Sequence, residues 1–310
     1  VTASVSALTL TDQNSIVLAA IDVTTGGMTV TALGGTITQD ASVLGDVSGA
    51  HIDDVGATSL SATGGVTLDN VFNDFDEGST VAVSVSAGSD ITLRDEDAIA
   101  LGNITASGAG SDLTLTSGGN VTQGTSTAVS VAGISTINAA GFDVTLANVD
   151  GGGVGTNDLA TLTGSANSYN IAEVNAITLS GVTGTAGDVD VAAAGNISVT
   201  GGTTVQATGD VSLSGADITV DASGIILADN DTSGAGDAIL IGTGAVTGNA
   251  SSQISGDNVT LSGASVNFLG DSITANTAGA TPLVGAVSIT ASTGSINLDG
   301  VTTAQTSITG

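Results

Sequence analysis

The sequence predicts an all-β fold in which short strands stack as the coils of a β-solenoid, and three observations support this class. Apolar residues alternate with Thr or Ser in short runs such as Gly65-Val66-Thr67-Leu68 and Asp257-Asn258-Val259-Thr260-Leu261, which is the period of a half-buried strand. Gly, Asn and Asp separate the runs and are typical of turns. With 4 Phe, 1 Tyr and no Trp, the core must be thin and layered.

A long repeat of roughly 84 residues organises these strands. A third copy opens near Ile177, and the long register is lost after about Gly201. Coils of about 21 residues would place four in each repeat and about 14–15 in a single domain over residues 1–310. The aligned segments are 8–18 with 91–101, 34–39 with 118–123, 66–70 with 144–148, and 73–75 with 157–159.

Charge and composition exclude several functional classes. Arg94 is the one basic residue apart from His51, while 30 acids bring the net charge to −29. Phosphate-binding surfaces and polybasic membrane contacts need cations, so we expect no nucleic-acid partner and no membrane insertion. Cys is absent, which excludes zinc fingers and thiol chemistry. The acidity and the scarcity of basic residues favour an extracellular protein.

The repeats resemble those of filamentous-haemagglutinin-type adhesins, which are repetitive surface proteins of Gram-negative bacteria. The resemblance lies in the strings LSATGGVTLDN (60–70), SAGSDITLRDEDAIALGNITASG (86–108) and LTLTSGGNVTQ (113–123). It implies a right-handed parallel β-helix that is exported to the cell surface or secreted, and it implies no particular ligand. The chain starts at Val1 without a charged leader, so we expect an excerpt or a mature segment of a longer protein.

The function that these observations predict is structural. We expect the rod of a bacterial surface filament or adhesin stalk, whose copies stack end to end and which contacts a host or neighbouring cell surface. An alternative is an adhesin segment that itself binds a glycan or receptor through an insertion such as 150–170 or 228–250. A third is a polysaccharide-degrading β-helix enzyme.

Two acidic segments are candidate Ca²⁺ sites, although no cofactor is required for the predicted function. Ca²⁺ prefers six to eight oxygen ligands, and alternating Asp, Asn and Ser side chains in a glycine-containing loop supply such oxygens. Each segment also fits a solvated turn, and Asn73-Asp74 recurs at 157–158 as part of the repeat. The candidate ligands are Asp229, Asp231, Ser233 and Asp237 in the first segment, and Asn73, Asp74 and Asp76 in the second.

Other patterns favour structural interpretations. The carboxylate pairs Asp53/Asp54 and Asp95/Asp97 could serve a glycoside hydrolase, and Arg94 beside Asp95 could serve a lyase. The second pair belongs to the repeat, however, and aromatic sugar platforms are almost lacking, so we predict no enzyme. His51 has no second His and fits a surface turn.

Two further motifs give still weaker evidence of a binding function. The run 151–158 resembles a glycine-rich calcium nonapeptide, but it occurs once and fits a loop insertion. Thr-x-Thr motifs at 9–11, 29–31, 36–38, 114–116 and 161–163 could bind ice, but their spacing is uneven.

Overall fold

The computed structural model describes residues 1–40, 51–75, 81–230, 236–270, 272–275, 285–299, 302–304 and 306–309. From residue 299 onward it describes the backbone alone. Within these ranges the chain forms strands, turns and bends and no helix, and its strands pair in parallel from coil to coil. The prediction of an all-β parallel solenoid is therefore confirmed.

The chain divides into two compact units, Val1–Asn148 with Thr156–Ala160 and Val149–Gly155 with Thr161–Gly310. Each unit is a stack of coils with its own buried centre. The single domain over 1–310 that the sequence predicts stays a prediction.

The first unit contains three stacked faces. Strands β2, β5, β8 and β10 form one face, strands β3, β6, β9, β11 and β13 form a second, and β1, β4 and β7 form a separate three-stranded sheet. The strands are β1 (Ala3–Val5), β2 (Leu8–Asp12), β3 (Ile16–Leu18), β4 (Ile21–Val23), β5 (Met28–Ala32), β6 (Ile37–Gln39), β7 (Ile52–Asp54), β8 (Thr58–Ala62), β9 (Val66–Leu68), β10 (Val83–Ala87), β11 (Ile91–Asp95), β12 (Ile99–Ala106), β13 (Leu113–Ser117), β14 (Val121–Gln123) and β15 (Val129–Leu146).

The second unit repeats this arrangement with three strands per coil. Its faces are β16, β18, β21, β24, β27, β30 and β33; β17, β19, β22, β25, β28 and β31; and β17, β20, β23, β26, β29 and β32. The strands are β16 (Asp158–Glu173), β17 (Ile177–Gly184), β18 (Val189–Ala193), β19 (Ile197–Val199), β20 (Thr204–Ala207), β21 (Val211–Gly215), β22 (Ile218–Val220), β23 (Ile225–Leu227), β24 (Ala238–Gly242), β25 (Ala245–Gly248), β26 (Gln253–Gly256), β27 (Val259–Gly263), β28 (Ser265–Leu269), β29 (Ser272–Ala275), β30 (Val287–Ala291), β31 (Ile296–Asp299), β32 (Thr302–Ala304) and β33 (Thr306–Thr309).

The core of each unit consists of aliphatic columns, because the inward residue of one strand lies over the inward residue of the next. In the first unit one column runs through Ile16, Ile37, Val66, Ile91 and Leu113. All five side chains are buried. Side chains of similar size stack in this way without aromatic filling, which accounts for the low aromatic content.

A few large side chains interrupt the columns of the second unit. Phe268 is buried and lies in register with Gly248, where a Cβ atom would overlap the aromatic ring. Tyr169 is also buried, and burial raises the pKa of its hydroxyl above the ordinary value. Glycine at 248 therefore makes room for a ring that the thin core otherwise excludes.

Two strands are longer than the short strands that the sequence predicts. Strands β15 and β16 span 18 and 16 residues. Strand β15 pairs in turn with β12, β13 and β14, so it continues around the corners of a coil instead of ending at them. Gly141 has a φ of +81° within β15, a conformation that favours glycine and lets the strand turn.

Candidate functional site

A buried pair of amide side chains joins two coils of the first unit. Gln39 Nε2 donates to Asn73 Oδ1 at 2.7 Å, and Asn73 Nδ2 donates to Gln39 Oε1 at 3.0 Å. The same oxygens accept backbone N–H groups, from Asn70 on Gln39 Oε1 at 3.1 Å and from Ile52 on Asn73 Oδ1 at 3.0 Å. Both side chains are nearly or fully buried, so this network satisfies polar groups that water cannot reach.

The same pair recurs one long repeat later. Gln123 Nε2 donates to Asn157 Oδ1 at 2.7 Å, and Asn157 Nδ2 lies 3.3 Å from Gln123 Oε1. Asn157 Oδ1 also accepts the N–H of Val129 at 2.9 Å, as Asn73 accepts that of Ile52. The aligned sequence positions therefore have a shared structural role.

Asp54, one of the candidate catalytic carboxylates, is buried and bound by the chain itself. Its Oδ1 accepts the N–H of Gly56 at 2.9 Å, and its Oδ2 accepts the Thr58 hydroxyl at 2.7 Å and the N–H of Met28 at 3.2 Å. Burial raises the pKa of Asp54 although these hydrogen bonds oppose the change. The carboxylate links its own turn to the preceding coil.

Asp95 repeats this arrangement. Oδ1 accepts the N–H of Asp97 at 3.1 Å and Oδ2 accepts the N–H of Phe75 in the preceding coil, also at 3.1 Å. Burial, together with smaller effects of the neighbouring Asp97 and Asp74 carboxylates, raises the pKa of Asp95 to about 7, although the two backbone hydrogen bonds oppose the change. Arg94 lies on the opposite face of the strand, in register with Thr116, so the structure does not bring it together with the Asp95 carboxylate.

A ladder of Asp and Asn side chains runs along the turns of the second unit. Asp188 Oδ1 accepts the N–H of Asp210 at 2.9 Å, and Asp210 Oδ1 accepts that of Asp237 at 2.8 Å. The ladder continues from Asp237 to the N–H of Asn258 at 3.0 Å, and from Asn258 to that of Ala286 at 3.1 Å. Each side chain thus caps the start of a strand one coil further along the chain.

Shorter ladders of the same type occur elsewhere. In the first unit Asp90 accepts the N–H of Asp112 at 3.0 Å, and Asp112 accepts that of Ile134 at 2.7 Å. The sequence motif, in which Asp or Asn often precedes Val/Ile-x-Leu/Val, predicts turns at these positions. Its further role, a hydrogen bond to the next coil, was missed because the acceptor and donor lie more than 20 residues apart.

The outer surface of β1, β4 and β7 carries an acidic column. Asp22 is in register with Asp53, which is bridged to Asp74, and the Ser4 hydroxyl donates to Asp22 Oδ2 at 2.8 Å. A groove of about 360 Å³ on this surface is lined by Thr2, Ala3, Ser4, Ala20, Ile21, Asp22, His51 and Asp53. No group of three or more His, Cys, Asp or Glu side chains among the described residues is placed to hold a metal.

The candidate Ca²⁺ ligands fall into separate environments. Asn73 Oδ1 already accepts two hydrogen bonds in the amide network. Asp237 Oδ1 accepts both the N–H and the side-chain amide of Asn258, at 3.0 and 2.9 Å. Asp229 is buried and has a φ of +55°. Asp76, Asp231 and Ser233 lie outside the described residues, so calcium binding stays a prediction.

The glycine-rich run after Asp150 forms a hairpin. Val149 and Gly155 pair as an antiparallel bridge, and Asp150 Oδ1 accepts the N–H groups of Gly152 at 2.8 Å and Val154 at 2.9 Å. These hydrogen bonds, from Val154 first and then Gly152, lower the pKa of Asp150. The carboxylate acts here as a turn cap within a loop.

The Thr-x-Thr motifs are distributed over different faces. Thr9 and Thr11 lie in register with Thr29 and Thr31, one coil later, and the next coil has Ser59 and Ser61 at these positions. The motif that ends at Thr38 instead lies on the face of β6 and β9, and the motif at 161–163 lies in β16.

Comparison with known proteins identifies the repeat but no function. Residues 5–82 and 88–166 match the model of a family described as repeats of unknown function. The two matched segments contain one amide pair each. No curated protein and no solved structure matches the chain. A search for helices long and apolar enough to cross a membrane finds none in the described part of the chain.

Proposed function

The chain belongs to the family of repeats of unknown function (DUF5649), and we propose that it is a structural protein, a β-solenoid segment of a bacterial surface filament or adhesin stalk. The observation that carries this proposal is the use of polar side chains to join one coil to the next. The amide pairs, Asp54, Asp95 and the Asp/Asn ladders all bond to the backbone of an adjacent coil.

Such cohesion suits a mechanical role. Each coil pairs its backbone with its neighbours, and the side-chain bonds add a second set of links in the same direction. The carboxylates of Asp54 and Asp95, which were the best candidates for catalysis, contribute to these links by accepting the N–H groups of Met28 and Phe75. This arrangement favours a scaffold over an enzyme.

The proposed location and partners of the chain are based on its charge, its repeats and its strand edges. A net charge of −29 makes chains repel one another at low salt, and the salt of an extracellular medium screens this repulsion. The proposed location at a Gram-negative cell surface rests on the resemblance of the repeats to those of haemagglutinin-type adhesins. Open strand edges of a coil can pair with a further coil, so the proposed partners are copies of the chain stacked end to end and a host or neighbouring cell surface. Divalent cations such as Ca²⁺ would strengthen contacts between acidic surfaces.

Negative-stain electron microscopy of the purified chain, in calcium and then in EDTA, tests the assembly. Filaments of uniform, few-nanometre width, with a fibre-diffraction repeat of about 4.8 Å along the axis, are expected. Loss of filaments in EDTA would assign Ca²⁺ a role in assembly. Separate particles at every concentration and in both solutions would contradict end-to-end stacking.

A further inference from the structure

A hairpin in the second unit overlies the end of β16 and forms one wall of a groove. The hairpin is Val149–Gly155, and its two end residues pair in the antiparallel bridge. Gly155 lies so close to Ala172 and Glu173 that a Cβ atom there would overlap their backbone. The groove beside the hairpin has a volume of about 190 Å³, and its lining includes both residues of the hairpin that carry aliphatic side chains.

This hairpin is an insertion that the fold of the repeat does not require. In the first copy of the long repeat two residues connect Asn70 to Asn73. In the second copy eight residues, 149–156, connect Asn148 to Asn157. Asn73 and Asn157 nevertheless accept equivalent backbone N–H groups in the two amide networks. The additional residues therefore leave the coil unchanged and build a feature on its outer surface.

The groove leaves aliphatic side chains in contact with solvent. Val149 is 54% exposed, and Ala192 and Ala194 in the opposite wall are exposed too. Ala192 occupies an outward position of β18, and two coils further along the same column Ile241 is 46% exposed. One coil earlier in that column, Ala172 is buried beneath the hairpin. Exposed aliphatic groups gathered at a concave surface are typical of a site that binds another protein.

Carboxylates flank the groove, and the second unit has no cation to neutralise them. Asp150 lies on the hairpin, and Asp190 lies on β18 two residues before Ala192, on the same outward side. Burial, followed by the charges of Asp188 and Asp210, raises the pKa of Asp190, as expected on a negatively charged surface. No Lys, Arg or His occurs in the second unit, because the single Arg and the single His of the chain belong to the first.

We propose that the groove binds a segment of another protein in which aliphatic side chains lie next to Lys or Arg. An aliphatic side chain would occupy the space between Val149 and Ala192, where it is removed from water. The flanking cations would approach Asp150 and Asp190 while their methylene groups cover the surrounding apolar surface.

Other occupants fit this surface less well. A second copy of the chain would bring a net charge of −29 and no Lys to an already acidic surface. A glycan would find one hydroxyl side chain, that of Ser214, in an otherwise apolar lining that also contains the buried Glu173. The inference goes beyond the proposed structural function, because the groove uses none of the side chains that join coils.

Fluorescence anisotropy of the full chain with labelled peptides tests the site. The probe is the peptide Lys-Leu-Val-Leu-Lys, acetylated and amidated. One control peptide, Glu-Leu-Val-Leu-Glu, reverses its charge, and a second, Lys-Ser-Thr-Ser-Lys, keeps the charge and removes the aliphatic groups. The probe should bind about tenfold more tightly than either control, and its affinity should fall with added NaCl.

A matched pair of variants locates the binding. Ala192→Arg places a guanidinium beside Asp190 and its methylene groups in the groove, so it should weaken binding of the probe about tenfold or more. Thr290→Arg makes the same change of net charge at an exposed outward position of the same column, three coils beyond the Ser214 wall, and should bind as the parent does. Equal losses in the two variants would overturn the proposal, because they would show attraction to the net charge alone.

Deletion of residues 150–155 gives the second copy the two-residue connection of the first and should abolish the preference for the probe over the control peptides. Circular dichroism and thermal melting compare the folds, and Val149→Ser replaces either groove variant if it does not fold. The proposal is overturned by equal binding of the three peptides, by unaffected groove variants, or by self-association of the parent chain that Ala192→Arg abolishes, since the last result would assign the groove to a second copy.

Discussion

Gln39 and Asn73 are separated by 34 residues and exchange two hydrogen bonds in the interior of the first unit, at 2.7 and 3.0 Å. Gln123 and Asn157 have the same separation and the same contacts. Each of the two segments that match the family model contains one such pair, so one long repeat corresponds to one amide network between coils, buried in the first copy and part-buried in the second. The repeat length is therefore tied to the spacing of the network as well as to the length of a coil.

Truncation of Asn73 should destabilise the first unit strongly. Asn73→Ala leaves the Gln39 amide and the Ile52 N–H without their acceptor, and buried unsatisfied groups of this type should cost about 2–3 kcal/mol in the free energy of unfolding. Urea denaturation followed by circular dichroism measures the loss. Asn14→Ala, at an exposed turn, is the control and should change stability by less than about 0.5 kcal/mol.

A double-mutant cycle separates the pair from its surroundings. The losses for Gln39→Ala and Asn73→Ala should be less than additive when combined, since each variant already breaks the shared bonds. Additive losses would show that the two amides act independently and that the network has no joint role.

The pH dependence of stability should contain a contribution from Asp95. Its pKa of about 7 in the folded chain lies above the ordinary value of 3.8, so the folded state retains a proton that the unfolded state has released. Stability therefore falls as the pH rises from about 4 to about 7 and levels off above that range. Asp95→Asn removes the ionisation and should reduce this fall.

Urea midpoints at about pH 4.5 and pH 8 compare the parent with the variant. Asp12→Asn serves as the control because Asp12 occupies the equivalent position of the preceding repeat and is exposed. An unchanged difference between the two pH values in Asp95→Asn, or an equal change in Asp12→Asn, would contradict the assignment to Asp95.

The strands were predictable from the sequence, whereas the contacts of the polar residues were not. Alternation of Thr with Val, Ile or Leu specifies which side of a strand is buried, and this property is local. The partner of Gln39 depends on the length of every turn between β6 and Asn73, which no local pattern encodes. For the same reason Asp54 fitted a catalytic pair in the sequence, while its actual partners include Met28 in the preceding coil.

Ser135 offers a route to a more stable chain. Its side chain is fully buried in register with Leu113, and its hydroxyl has no hydrogen-bond partner within the described structure. Because a buried unpaired hydroxyl is unfavourable, Ser135→Ala should raise the free energy of unfolding by about 1 kcal/mol. Ser130→Ala, on the outer face, is the control. A lower denaturation midpoint for Ser135→Ala would show that the hydroxyl contributes to packing.

The contribution of residue 210 to the stability of the second unit should come from its hydrogen-bond acceptor and not from the negative charge of Asp210. Asp210→Ala removes the oxygen that accepts the Asp237 N–H, and should cost about 1 kcal/mol. Asp210→Asn keeps that oxygen and removes one of three stacked carboxylates, so its stability should equal or exceed that of the parent. Asn258 already occupies an equivalent position and accepts the Ala286 N–H.

The pKa of Asp190 and the salt dependence of stability give two independent measures of the repulsion that the Asp210 charge causes. Burial, followed by the charges of Asp188 and Asp210, raises the pKa of Asp190, so Asp210→Asn should lower that pKa in an NMR titration. Any stability gain of Asp210→Asn should shrink in about 1 M NaCl, because salt screens the repulsion between exposed carboxylates. If Asp210→Asn were as destabilising as Asp210→Ala, the carboxylate itself would be required, and the ladder would depend on charge-assisted hydrogen bonds.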